Sequence, residues 1–444
     1  MKRGNKLIAL LAVLVLLVGA TVLITQLNPK EDAQQDTYTT VFSLDPDKVT
    51  NISWEYSKKA SFTRTEDGWV YDEDAAFPVD VNCLDDMLRI LSSVGAKKTI
   101  ANVEDLDQYG LLYPFCGITV TVDGKTHNLA IGDQNSFTGD RYFSTGDGNV
   151  YLVANEIAAH FNFGSEGALL MEEIPDLSGI TKLELQSDAQ NYTITYEVGS
   201  GKAYSTRYKW FMGDKVLDTE LTETLLAVLK ELEWKECADY NATDLAAYGL
   251  DTPAAVATAT YLDKTFVLEL GNVVEKGVYA RIAGSNMVYL VRNAVLDTLL
   301  YTTYSELMPD EVLAIDWDTV TAVDITLAGQ TFSLKQEEVP DPNGCATGTY
   351  VWKLGDKEAD MTKITTTLDE MESNGYATGL TPELAEEIRM VFHRNDDHHT
   401  QVELVLYRYD SNSCLATLDG VSTVLADRTA VTTLINAVNK LIAE

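Results

Sequence analysis

The chain has 444 residues, 45% of them hydrophobic and 9% aromatic, with 68 acidic against 33 basic side chains and a formal net charge of −35. That length leaves room for about three ordinary domains, each able to bury a core. A polyanion of this size repels phosphate backbones and anionic lipid surfaces, which excludes nucleic acid as a partner over most of the surface.

Residues 1–6 place Lys2, Arg3 and Lys6 ahead of an uncharged run from Leu7 to Leu27. At 1.5 Å per residue that run crosses about 30 Å of hydrocarbon, so a transmembrane helix is expected over 7–27. The residues after Gly19-Ala20 offer a poor cleavage site, which favours an uncleaved anchor over a signal peptide. The three cations keep the N-terminus in the cytoplasm and put the bulk of the chain outside the cell membrane. Residues 28–43 are polar and acidic and read as a tether.

A first unit, 44–170, opens with the alternating strand Val49–Tyr56 and continues through Ser61–Arg64 and Gly68–Tyr71. Asp80 or Asn82 can cap a helix whose apolar face is Leu84, Met87, Leu88 and Leu91, ending near Gly95. Strands follow at Ile118–Val122, Leu129–Gly132, Arg141–Phe143 and Val150–Val153, with Asp123-Gly124 as a hairpin turn. A second unit, 171–307, repeats this programme at an offset near 139 residues, with a helix lined by Leu221, Leu225, Val228 and Leu232 and a strand Val288–Val291 that answers Val150–Val153. A third, degenerate unit, 308–444, restarts at Val320–Ile325 and Tyr350–Trp352. In it Asp360 caps a helix through Ile364, Leu368 and Met371, and a final amphipathic helix uses Val431, Leu434, Ile435, Val438 and Leu441. The expected fold is therefore α+β: tandem repeated, mainly antiparallel sheet-plus-helix units preceded by one transmembrane helix.

The clearest repeated signal is N-x-x-D-L-x-x-Y-G-L-x-x-P, carried by Asn102, Asp105, Leu106, Tyr109, Gly110, Leu111 and Pro114, and again by Asn241, Asp244, Leu245, Tyr248, Gly249, Leu250 and Pro253. Equal spacing without gaps marks a duplicated structural unit. The residues spell a short helix. Asn102 and Asn241 suit the N-cap and Asp105 and Asp244 the answering position of a capping box. The glycine suits a left-handed C′, the leucine the apolar contact of a Schellman stop, and the proline bars resumption. A binding surface at Tyr109 or Tyr248 is the alternative. The third unit loses Tyr-Gly-Leu and has Glu383-Leu384-Ala385 where Asp-Leu-x stood.

No glycine-rich phosphate loop, HExxH or G-x-S-x-G is present, so no catalytic or cofactor-binding residue is predicted and no cofactor is implied. Cys83, Cys116, Cys237, Cys345 and Cys414 lie far apart, which points to free, mostly buried thiols. His393, Asp396, His398 and His399 could together hold a zinc ion, but their position between two strands favours a polar hairpin turn. Asp72-Glu73-Asp74, or Asp140 with Asp147, could attract calcium, though neither follows a known calcium-loop spacing. Trp69, Trp210 and Trp352 recur one per unit in strands, which core packing explains better than a sugar platform.

From Val49 to about Leu300 the order of strands, Gly-Trp strand, apolar helix, D-L-x-x-Y-G-L-x-x-P, aliphatic-Gly strand end and V-Y-L-V strand resembles the bacterial family grouped as domain of unknown function 4340. The likeness is most specific at Asp105–Pro114 and Asp244–Pro253. It implies an extracytoplasmic accessory subunit of an ABC-type transporter related to gliding-motility and auxiliary export systems, in contact with its permease and ATPase. It transfers no catalytic residues. The expectation is a membrane-anchored, non-enzymatic scaffold; the alternative is a cell-surface binding module for a glycan, peptide or cation.

Overall fold

The computed structural model describes residues 38–339 and 349–443. The predicted transmembrane run 7–27, the six residues before it, most of the 28–43 tether and Cys345 lie outside these. Among the described residues no helix is long and apolar enough to cross a membrane.

The chain is mostly antiparallel β, arranged as three nine-stranded sheets in tandem. In the second sheet the strands lie in the order Lys215–Leu217, Trp210–Met212, Tyr192–Tyr196, Ile180–Ser187, Ala255–Tyr261, Lys264–Val274, Gly277–Ile282, Val288–Val291 and Glu236–Asp239. The path explains the order. A four-strand meander runs outward to one edge, and the helix Thr219–Lys230 carries the chain to the other edge, where Glu236–Asp239 is laid down. A second meander then fills the middle. The two meanders meet where Leu183 faces Ala259, and the same junction sets Ile52 opposite Val120 in the first sheet and Val323 opposite Phe392 in the third. The first sheet differs at its margins: it lacks a fourth strand in its first meander and adds Thr39–Phe42 beyond Val94–Ile100.

Helices are few, and they seal one face of each sheet. In the first, Asp80 accepts hydrogen bonds from the N–H groups of Asn82 and Cys83, and Val81–Leu91 buries Leu84, Met87, Leu88 and Leu91, the face the spacing predicts. Each such side chain contributes about 1.5–3 kcal/mol by leaving water. The second helix corrects the expectation in part. Leu225 and Leu232 are buried and Val228 packs against the core as expected, but Leu221 is exposed and Thr222, Leu226 and Leu229 complete the buried face. The cap is the reason. Asp218 takes the N–H of Leu221, and the Thr222 hydroxyl donates to the Asp218 carbonyl at 2.6 Å, so a threonine can turn inward with its polar group satisfied. In the third sheet Ile364 and Leu368 pack with Val431, Leu434, Val438 and Leu441 of the terminal helix Arg428–Ala443. Trp69 and Trp210 are buried and Trp352 is half-buried against the same core, so all three serve packing.

Nothing in the sequence flagged Val94–Ile100, Glu236–Asp239 or Ser373–Tyr376, the strand that follows the helix in each sheet; the last two are edge strands, while Val94–Ile100 lies between Thr39–Phe42 and Val150–Val153. The two edge strands bury no residue fully and Val94–Ile100 buries only Val94 and Ala96, so none carries an apolar alternation to read. Two compact units divide the chain, one ending at Glu172 with the first sheet and one from Glu173 holding the second and third.

Candidate functional site

The repeated motif is a structural stop built twice with one geometry. Asp107–Tyr109 and Leu245–Tyr248 are single turns of 3-10 helix, followed by Gly110 at φ 64° and Gly249 at φ 67°. The Leu111 N–H bonds the Leu106 carbonyl at 3.1 Å and the Gly110 N–H bonds Asp107 at 2.9 Å. In the second copy Leu250 bonds Leu245 at 2.9 Å and Gly249 bonds Ala246 at 3.1 Å. This is the paired bonding of a Schellman stop. The cap differs from the expected one. Asp105 accepts from the Asp107 N–H and Asp244 from the Ala246 N–H, whereas Asn102 and Asn241 cap nothing. An N-cap needs extended backbone, and Asn102 sits at φ 52°.

Why a glycine follows the aliphatic residue in the neighbouring strand is also plain. A Cβ on Gly132 would lie 2.3 Å from the Tyr109 carbonyl oxygen, and one on Gly271 would lie 2.2 Å from that of Tyr248. Tyr109 and Tyr142 meet edge to face at 4.9 Å, as Tyr248 and Tyr279 do at 5.0 Å. The Tyr248 hydroxyl donates to Asp239, and burial together with that carboxylate pushes its pKa up to about 12. Pro114 and Pro253 lie just beyond the stop. The motif tyrosines thus pack on strand tyrosines and present no open binding face.

The histidine run does not assemble a metal site. His393 bonds Asp324 at 2.8 Å through Nε2, His399 donates its Nε2 proton to the Gly201 carbonyl at 2.8 Å, and Asp396 accepts the N–H groups of His398 and His399. Among the described residues no three His, Cys, Asp or Glu side chains could hold one ion. What the run does instead is receive a loop of the second repeat. Gly201, at φ 70°, lies so close that a Cβ would meet the His398 ring at 2.6 Å. Asp316 accepts the buried Ser205 hydroxyl at 2.6 Å and the Thr206 N–H at 2.9 Å. Burial works to raise the Asp316 carboxyl, but these bonds hold it below its ordinary value; the His399 and His398 N–H groups do the same for Asp396.

Beside this loop lies a cleft of about 390 Å³ between the second and third sheets. The linker makes it. Leu307 accepts the Asp218 N–H at the edge of the second sheet, and four residues later Glu311 bridges Glu372 at the edge of the third. Tyr204 and Tyr208 come from the loop, Tyr304 from the short helix before the linker, and Tyr376 from the third sheet's edge strand. The hydroxyls on the loop are committed: Tyr204 donates to Asp419 at 2.7 Å and Tyr208 to Glu311, which Arg207 also holds. Burial and these carboxylates raise both phenols, and burial pushes Tyr304 up to about 12. Tyr304 and Tyr376 stand edge to face at 5.4 Å, with the Lys215 ammonium 4.5 Å and 5.7 Å from their ring centres. Sequence reasoning missed this set. One signal was there: the turn between Thr65 and Gly68 in the first unit becomes the tyrosine-bearing segment 197–209 in the second.

The family described as Domain of unknown function (DUF4340) matches residues 69–210 and 210–389. The chain belongs to this family. Each DUF4340 segment starts in the tryptophan strand of a sheet, Gly68–Tyr71 or Trp210–Met212, and runs on into the sheet after it. The family unit is therefore shifted along the chain from the sheet unit. No curated protein and no solved structure matches the chain.

Proposed function

We propose that the protein is a membrane-anchored extracytoplasmic scaffold, held by residues 7–27 with its N-terminus in the cytoplasm, that serves as a non-enzymatic accessory subunit of an ABC-type transporter. The observation that supports this reading is the repetition itself: one nine-stranded sheet, built three times, with one face sealed by helices each time. Repeated sheets supply extended surface for a large partner. Extraction of the full-length protein from native membranes in mild detergent tests it. A permease and an ATPase recovered in near-equal amounts are expected; recovery of the protein alone, or full partner activity after deletion of 7–27, overturns it.

The tyrosine-lined cleft favours a second reading, a cell-surface binding module. Its walls are aromatic and rigidly held, which suits a small ligand. Calorimetry of the full chain against cell-wall fragments, peptides and calcium separates the readings, because a pure scaffold gives no small-ligand heat.

A further inference from the structure

We infer that the cleft between the second and third sheets takes a small organic monocarboxylate with an apolar body, its carboxylate on Lys215 and its body against the tyrosine rings. The inference deepens the binding-module reading and rests on it.

The chemistry of the lining selects the ligand. Of the charged side chains there, Lys202 is held by Glu197 at 2.8 Å and by the Gly213 carbonyl and has Asp214 at 3.8 Å, and Glu311 is held by Arg207 and Tyr208. Asp419 takes the Tyr204 hydroxyl and the Glu403 N–H. Lys215 differs. Among the described residues its one hydrogen bond is to the Tyr376 hydroxyl at 3.3 Å, and it has no carboxylate within 4.0 Å. An ammonium has three donors, so two remain for a ligand. Of the two lysines in the cleft it is Lys215 that has no acidic partner, so an anion meets least repulsion there, and with Asp214, Glu311 and Asp419 in the same lining a single negative charge is tolerated better than several.

Competing ligand classes fit less well. A cation would contend with Lys215 for the faces of Tyr304 and Tyr376, which it already covers. A sugar needs free donors and acceptors, and the Tyr204 and Tyr208 hydroxyl protons are spent on Asp419 and Glu311. What the rings leave open is apolar surface, continued by Met308, Val312 and Val424.

The test uses the full-length protein in detergent, titrated by calorimetry with 4-phenylbutyrate and with the uncharged 4-phenyl-1-butanol. The acid should bind with one-to-one stoichiometry and about tenfold more tightly than the alcohol, the size of one exposed charge-assisted contact. Lys215→Met should remove that difference while leaving the thermal midpoint in place, and Lys215→Arg should restore it. Equal affinities for acid and alcohol, no heat from either, or an acid preference that survives Lys215→Met would each overturn the assignment. Heat from a cell-wall fragment or peptide that survives Lys215→Met would overturn it while the binding-module reading stands; silence from every ligand overturns both.

Discussion

The second and third sheets follow one path but end their connectors differently. In the second, residues 240–254 hold the capped turn and its Schellman stop; in the third, residues 377–385 span the same gap with no such turn. The strand that receives the motif changes with it. Ala255 pairs with Leu270 and Gly271 follows, whereas Ile388 pairs with Leu406 and Tyr407 follows. The motif and its glycine are one device, kept together in two copies and lost together in the third. Entry into the connector survives all the same: the Ala242 N–H bonds Asn286 at 2.9 Å, and the Ala377 N–H bonds Thr423 at 3.0 Å.

The hardest way to break this comparison is Gly271→Val. Its Cβ would fall 2.2 Å from the Tyr248 carbonyl, and both atoms are tied to backbone that cannot swing aside. Overpacking of that kind costs about 3 kcal/mol. The unfolding midpoint in urea should drop, and amide exchange at Gly249 and Leu250 should accelerate first. Tyr407→Val in the third sheet puts the same residue into a strand that faces no capped turn and should cost only about 1 kcal/mol. Equal losses at the two sites would show that the motif and the glycine are not coupled.

Next in size is the contact between the two sheets. Asp316→Ala leaves the buried Ser205 hydroxyl and the Thr206 N–H without their acceptor, at about 1–3 kcal/mol. The same carboxylate gives a pH dependence. Asp316 and Asp396 are held below the ordinary value of 3.8 in the folded chain. A depressed carboxyl contributes stability that is complete above its unfolded pKa and is lost as pH falls through the folded one. Stability of the second and third sheets should therefore decline from about pH 4 downward, and Asp316→Ala should flatten that decline. An unchanged acid slope in the variant would remove Asp316 from the account.

Much of the fold was legible because it is periodic. Leu84, Met87, Leu88 and Leu91 mark one helix face, and Asp123 at φ 49° with Gly124 at φ 74° turns the hairpin the sequence spells. Three strands were not, Val94–Ile100, Glu236–Asp239 and Ser373–Tyr376, since they bury few side chains and show no apolar alternation. The cleft was illegible for another reason. Tyr204, Tyr208 and Lys215 belong to one repeat and Tyr376 to the next, and only the linker from Leu307 to Val312 brings them together. The run from His393 to His399 joins two strands, the position that favoured a polar turn, and its histidines go to separate partners, Asp324 and Gly201.

The smallest effect distinguishes the cap that forms from the one the sequence suggests. Asp244 accepts the Ala246 N–H at 3.1 Å from an extended backbone at φ −123°, so Asp244→Ala removes a working N-cap and should cost about 1 kcal/mol. The Asn241 side chain caps nothing; its own N–H is taken by Asp239 at 2.9 Å, a bond that Asn241→Ala retains. That variant should stay within about 0.5 kcal/mol of the parent. Urea midpoints of the two variants, measured side by side, decide between the caps. A larger loss at Asn241 than at Asp244 would return the cap to the asparagine and would mean that the turn begins three residues earlier in solution.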